Sequence, residues 1–456
     1  MPRALRLPAG QWPWWAALLL IAVAVPVAAL TPVSVRLAAG VVAVGLMALS
    51  SVGHDDRLAW WWGFLIPIDY VIGIPSGLLD AARYGAVIWL CLRMAPDLST
   101  ARRPLVVKFA VLVAVVGIIR GSASVARADR FGMLIAAVMV VGAATAPFVA
   151  WRVRAHRNIL AGFLGGVLLS ASVSLMQGLD IPTLQTGNQE GNRFPGLASS
   201  TMLITWHLAF ALIVACYFLT QRQEARFNRV LAGITLPVGA AALMVNGAQG
   251  GLLGLLFAGL AMAAFGWRLV RWRDVVRYGA LALVVLVAVG ALIGVAGVKT
   301  PTIDGLRGLG GYRNETARWT VAKNGARELA DHPLVGVGRT NFEDEYGLAP
   351  HFLPLEAGIT AGIVAFLVAA YLLWCLLRVL LQGPVGGRPE AWLGLALCAA
   401  MFANTITETG GPFTGLPRFS MLLIAVIACQ GERWPAPAGA GSESAEINGD
   451  QEPAAH

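Results

Sequence analysis

The chain is dominated by apolar runs long enough to cross a lipid bilayer, about 17–25 residues each at roughly 1.5 Å per helical residue. They recur near residues 14–30, 34–52, 58–75, 80–95, 104–120, 131–151, 158–178, 201–219, 229–246, 249–267, 278–298, 355–380, 390–406 and 417–430. Inside a bilayer no water is present to satisfy backbone amides, so each run must close its hydrogen bonds within its own helix. The expected fold is an all-α polytopic membrane protein of roughly 12–14 transmembrane helices with one large, partly helical loop. Composition agrees, with 57% of the 456 residues hydrophobic, 13% charged and a mean hydropathy of +0.69. Length is therefore no guide to a number of soluble domains.

The same runs divide the chain into a membrane bundle over residues 1–298, a large loop over 299–353, further membrane helices over 354–430 and a tail over 431–456. The tail, rich in Ala, Gly, Pro, Ser and Glu, is expected to be disordered. Arg3 and Arg6 ahead of the first apolar run resemble the start of a signal sequence. More runs follow at once, so an uncleaved first helix is expected.

A net charge of +9 raises the possibility of nucleic-acid binding, but the basic residues stand in short clusters between apolar runs. That placement orients a membrane protein and excludes nucleic acid as the expected partner. With the N-terminus in the cytoplasm, five basic groups fall on that side: Arg102/Arg103/Lys108, Arg152/Arg154/Arg157, Arg222/Arg226/Arg229, Arg268/Arg271/Arg273/Arg277 and Arg378/Arg388. The C-terminal tail falls with them. The opposite side then receives the stretch from Arg120 to Arg130, the loop from Asp180 to Ser200, the large loop and the connection from Thr407 to Pro417. Cys91, Cys216, Cys375, Cys398 and Cys429 all lie in apolar runs without metal-type spacing and are expected to pack as small hydrophobes.

Two loops on that opposite side differ from plain connectors. Thr186 to Ser200 is rich in Gly, Asn and Pro, which mark turns. The other loop is about 55 residues long, well beyond ordinary connections, and loops of that size are commonly functional. Trp319, Ala322, Ala326 and Leu329 recur in it at helical spacing and are expected to face its interior. The helix should stop at Asp331-His332-Pro333, since proline cannot continue it.

The chemistry-bearing residues concentrate in the same loops. Arg193, Arg307, Arg313, Arg318, Arg327 and Arg339 stand on the side where arginine is sparse. A guanidinium grips phosphate oxygens with two parallel hydrogen bonds, so several converging suit a diphosphate; pairing with Glu315, Glu328 or Glu343-Asp344-Glu345 is the ordinary alternative. His332 and His351 are the histidines of the large loop, and His351 opens an apolar helix. A neutral imidazole there can accept a proton from a hydroxyl near neutral pH. The acidic triplet reads as a solvated face, because adjacent residues do not converge on one cation.

The run from Arg318 through Trp319, His332-Pro-Leu-Val-Gly-Val-Gly338 and Phe342, with His351 opening the next helix, resembles the bacterial O-antigen ligase and O-antigen polymerase superfamily. The segment Arg193-Phe-Pro-Gly-Leu-Ala-Ser-Ser resembles that family's first arginine motif. The resemblance implies a glycosyltransferase of the bacterial inner membrane, with both termini cytoplasmic, that moves a glycan from undecaprenyl diphosphate to a glycan or lipid A-core acceptor on the periplasmic face. It implies that Arg193 and Arg318 hold the donor diphosphate, His351 activates the acceptor hydroxyl, and Gln249, Glu356 and Arg339 complete the substrate site. Paired arginines stabilise a departing diphosphate without a metal, so neither metal nor cofactor is expected, and one displacement inverts the anomeric centre. Where many members carry Ser-Arg-Gly this chain has Asn246-Gly-Ala-Gln249, Phe352 follows the histidine where Asn is usual, and either Glu356 or Thr360 takes the place of a later acidic residue. The alternative is a transporter or flippase for a lipid-linked glycan, which needs charges inside its helices to line a polar path.

Overall fold

A computed structural model describes residues 55–69, 104–151, 153–178, 194–198, 200–221, 224–246, 249–266, 291, 312–407, 413 and 416–431. The apolar runs 14–30, 34–52, 80–95 and 278–298 and the tail 431–456 fall wholly or almost wholly outside these residues. Among the described residues every regular element is helical, as the apolar runs require.

The chain order is α1 (Asp55–Leu65), α2 (Pro104–Ala126), α3 (Arg130–Trp151), α4 (Val153–Gly178), α5 (Thr201–Thr220), α6 (Arg226–Asn246) and α7 (Gly250–Ala261), the last continuing into a π-helical turn, Met262–Gly266. The loop then supplies α8 (Tyr312–Asp331), α9 (Arg339–Tyr346) and α10 (Leu353–Ala361), before α11 (Ile363–Gln382), α12 (Pro389–Thr407) and α13 (Leu416–Cys429). Five of these segments, Pro104–Ala126, Ala155–Gly178, Met202–Thr220, Arg226–Asn246 and Ile363–Gln382, are long and apolar enough to cross a membrane. The protein is an all-α polytopic membrane protein.

One continuous apolar core runs from Leu58 to Cys429. α12 lies deep within it, packed against α5, α7, α11 and α13, while α4 is lined by α1, α5 and α6. α2 and α11 instead turn large apolar side chains outward: Val107, Val111, Ile118 and Val125 on the first, Ile363, Val364, Leu367, Tyr371, Trp374 and Leu381 on the second. In a bilayer such a face meets acyl chains, so its exposure carries no hydrophobic penalty.

Two expected elements are revised. The apolar run 104–120 continues as helix to Ala126, so Arg120 lies inside α2 and not in a connecting loop. The run 355–380 is not one helix. It breaks at Gly362, whose φ of +87° lies in the region that favours glycine and whose added Cβ would sit 2.2 Å from the carbonyl oxygen of Leu334. Ile363 N–H donates to Pro333 O at 2.7 Å, so the amide released by the break is taken up by the turn of the large loop.

Candidate functional site

The large loop has a small core of its own. Val321 and Leu329 from α8 meet Phe342 of α9 and Leu355 and Ile359 of α10. The buried face of α8 is therefore Val321, Gly325 and Leu329, with Ala322 half-buried, while Trp319 is 65% exposed with Lys323 stacked over its ring. The expected stripe thus keeps Ala322 and Leu329 but is rotated by less than a quarter of a turn, which leaves Trp319 and Ala326 outside it, because α8 packs on the membrane-side α10 and takes its register from that contact. As expected, α8 ends at Asp331, ahead of Pro333. Tyr346 Oη donates to Glu328 Oε1 at 2.7 Å, tying α9 to α8 and holding the phenol above its usual range.

Residues 332–338 form the turn between α8 and α9. Val337 N–H and Gly338 N–H both donate to Ile359 O, at 2.9 and 3.1 Å. Gly336, at φ +67°, approaches so closely that an added Cβ would meet Ile359 O at 2.2 Å. Arg127, from the connection between α2 and α3, donates to the carbonyls of Thr360, Val335 and Gly336. The break at Gly362, the glycine turn and the α2–α3 connection are therefore fastened together at one end of the bundle.

Beneath this fastening lies a chain of charges. Arg120, with no exposed surface, donates from Nη2 to Glu356 Oε1 at 3.1 Å. Arg339 donates from Nη1 to the same oxygen at 3.2 Å and from Nε to Glu343 Oε1 at 2.7 Å. Two guanidinium groups thus share one buried carboxylate, with Glu343 as the second counter-charge. Of the two residues offered by sequence for the acidic position, Glu356 enters the cluster. Thr360 turns its hydroxyl back to Glu356 O at 2.7 Å and lends its carbonyl to Arg127.

His351 stands two residues ahead of α10, partly buried, with Nδ1 shielded from solvent and without a hydrogen-bond partner among the described residues. Burial pushes its pKa down to about 4, and the positive charges of Arg318 and Arg339 push the same way against the opposing Glu356. The imidazole is neutral at physiological pH. Arg318 lies on the exposed face of α8.

The structure accordingly groups His351, Arg318, Arg339 and Glu356 and adds Arg120 and Arg127, which sequence reasoning placed in a loop without a role. The signal for Arg120 was a lone guanidinium within an apolar stretch, a costly placement that calls for a partner. Gln249 belongs to a second group. It is exposed and precedes α7, three residues after Asn246, whose Nδ2 donates to Phe194 O at 2.8 Å. Ser174 Oγ donates to that same carbonyl at 2.7 Å, Gly196 N–H donates to Gln177 Oε1 at 2.9 Å, and Ser200 caps α5. Among the described residues no hydrogen bond or ion pair joins Gln249 to the His351 group. Arg193 lies outside the described residues; its neighbour Phe194 is buried in the turn just described.

At the other end of the bundle Arg157 faces two buried carboxylates, Glu224 at 3.9 Å and Glu390 at 3.6 Å, and Arg388 donates to Gly431 O. Several of the basic connections that charge patterning assigns to one side thus meet at one end. Comparison with known protein families, characterised proteins and solved structures finds no match to this chain.

Proposed function

We propose that this protein is a membrane glycosyltransferase that moves a glycan from a lipid diphosphate to an acceptor hydroxyl at the end of the bundle carrying the large loop, taken as the periplasmic face of a bacterial inner membrane. The observation that carries the reading is a neutral imidazole, His351, set in the field of Arg318 and Arg339 beside a buried carboxylate, at the end of an apolar bundle. Donor, acceptor and surrounding lipid are the partners; the donor class is undecaprenyl diphosphate bearing a glycan, and the acceptor is a glycan or a lipid A core.

In this reading the exposed Arg318 and the Arg193 loop receive the diphosphate, with Gln249 contributing a hydrogen bond beside the latter. Arg339, spent on Glu343 and Glu356, positions α10 and adds field. The acceptor oxygen attacks the anomeric carbon as the bond from that carbon to the diphosphate oxygen breaks. The hydroxyl proton passes to His351 and the electron pair leaves with the lipid diphosphate, whose growing charge the arginines stabilise. An imidazole with a pKa near 4 is a weak base in the empty site. A bound diphosphate cancels the field of the arginines and raises its basicity, so the base is switched on by the donor. Further support comes from buried atoms that have no hydrogen-bond partner among the described residues, Arg120 Nε and Nη1, Glu356 Oε2 and His351 Nδ1. Each such group costs about 1–3 kcal/mol until a polar partner meets it.

The test is the purified protein in vesicles with an undecaprenyl-diphosphate-linked glycan and a glycan acceptor. Formation of lengthened acceptor with release of undecaprenyl diphosphate is expected, and no product from any glycan acceptor or lipid A core sinks the reading. In cells lacking the gene, free polymer with uncapped lipid A indicates a ligase, and single-repeat products indicate a polymerase.

A further inference from the structure

The turn between α8 and α9 carries a feature that glycosyl transfer does not use. Leu334 and Val335 are 83% and 56% exposed at its tip, where a solvated turn would carry polar side chains. Protein hydrogen bonds take up part of the backbone of this turn, though among the described residues none engages Leu334 N–H, Leu334 O or Val335 N–H. Pro333 O accepts from Ile363 N–H, Val335 O and Gly336 O accept from Arg127, Gly336 N–H donates to His332 O, and Val337 and Gly338 donate to Ile359 O. Non-helical backbone with open polar groups is excluded from the hydrocarbon core, so the backbone of this turn stands at the water-bearing boundary and only its side chains reach past it.

The turn is also continuous with the surface that faces lipid. Pro333 and Leu334 abut the break at Gly362, and the outward stripe of α11 begins at once with Ile363 and Val364. α11 has 20 residues, about 30 Å, enough to cross the hydrocarbon core alone. Its first residue therefore stands at the core boundary, and the apolar tip stands beside it.

We infer that Leu334 and Val335 form a wedge inserted among the acyl chains of the leaflet nearest the large loop. Arg127 locks the wedge to α2, and the wedge in turn sets the depth of Arg339, which follows the turn directly, and of the cluster that Arg339 joins. The wedge stands on the fold and the exposed side chains alone. A bundle without transfer activity would carry it equally, so the two readings fail separately.

The experiment places an environment-sensitive fluorescent amino acid singly at positions 334, 335, 364 and 344 of the full chain, reconstituted in phosphatidylethanolamine and phosphatidylglycerol vesicles. Position 364 is the lipid reference and 344, an exposed aspartate of α9, the aqueous one. Chain-brominated lipid is expected to quench 334 and 335 at least half as strongly as 364, while iodide in the buffer quenches 344 alone. Iodide quenching at 334 and 335 comparable with 344 overturns the wedge. Protection of both positions from both quenchers also overturns it and means that a protein surface covers the turn. Both side chains project outward, so neither substitution opens a cavity, and each position reports independently of the other.

Discussion

Arg120 Nη2 lies 3.1 Å from Glu356 Oε1, an ion pair without solvent exposure that joins a membrane helix to the short helix opened by the loop histidine. Because Arg339 reaches the same oxygen, the pair couples the interior of the bundle to the loop above it.

Breaking this pair from one side leaves a buried charge uncompensated. Arg120→Ala is expected to destabilise the folded protein by about 3–5 kcal/mol. The double change Arg120→Met with Glu356→Gln should recover more than half of that loss. Thermal unfolding in detergent measures both, and a single variant as stable as the parent would show the pair to be idle.

His351 supplies the pH dependence. Its folded pKa, about 4, lies below the ordinary 6.5, so the unfolded chain binds a proton first as pH falls. Its contribution to stability is complete above about pH 6.5 and is lost between there and pH 4. Burial remains in Arg318→Ala but one cation is gone, so the His351 titration should move upward, toward 6.5. Resonances of labelled histidine read this directly; an unmoved midpoint would mean that Arg318 does not act on the imidazole.

Catalysis gives a second test of the same residue. His351→Ala is expected to abolish glycan transfer while leaving the protein in the membrane at normal abundance. Undiminished polymer or ligated product in such cells removes the base from the mechanism.

Arg318→Lys should be nearly as damaging as Arg318→Ala, because an ammonium cannot reproduce a planar two-point grip on phosphate. Transfer assays on the three proteins at equal abundance decide this. Parental activity in the lysine variant would reduce Arg318 to a supplier of charge.

Gly336→Ala tests the fastening of the turn. At φ +67°, with Ile359 O 2.2 Å from the new Cβ, the turn must lift from α10, at a cost above about 1 kcal/mol. Limited proteolysis should then cut between α8 and α9 at a protease concentration that leaves the parent intact.

Much of the fold was legible in the chain because bilayer physics is severe. A run such as 201–219 admits only a helix, and α5 spans Thr201–Thr220. The end of α8 at Asp331 was equally readable, since proline acts locally. The break at Gly362 was hidden: the residues on both sides are apolar, and the reason for it is the carbonyl of Leu334, supplied from 28 residues away in sequence. Arg120 likewise carried a sign of cost but no sign of its partner.

By itself, then, the order of residues determined the helices, their apolar character and which loops hold arginine and histidine, because those properties follow from neighbours in the chain and from the solvent around them. Which charges meet was decided only by packing. Glu356 finds Arg120 across 236 positions of sequence, and the face of α8 that packs is chosen by α10, because a buried carboxylate and an apolar stripe are satisfied by whatever the tertiary structure brings against them.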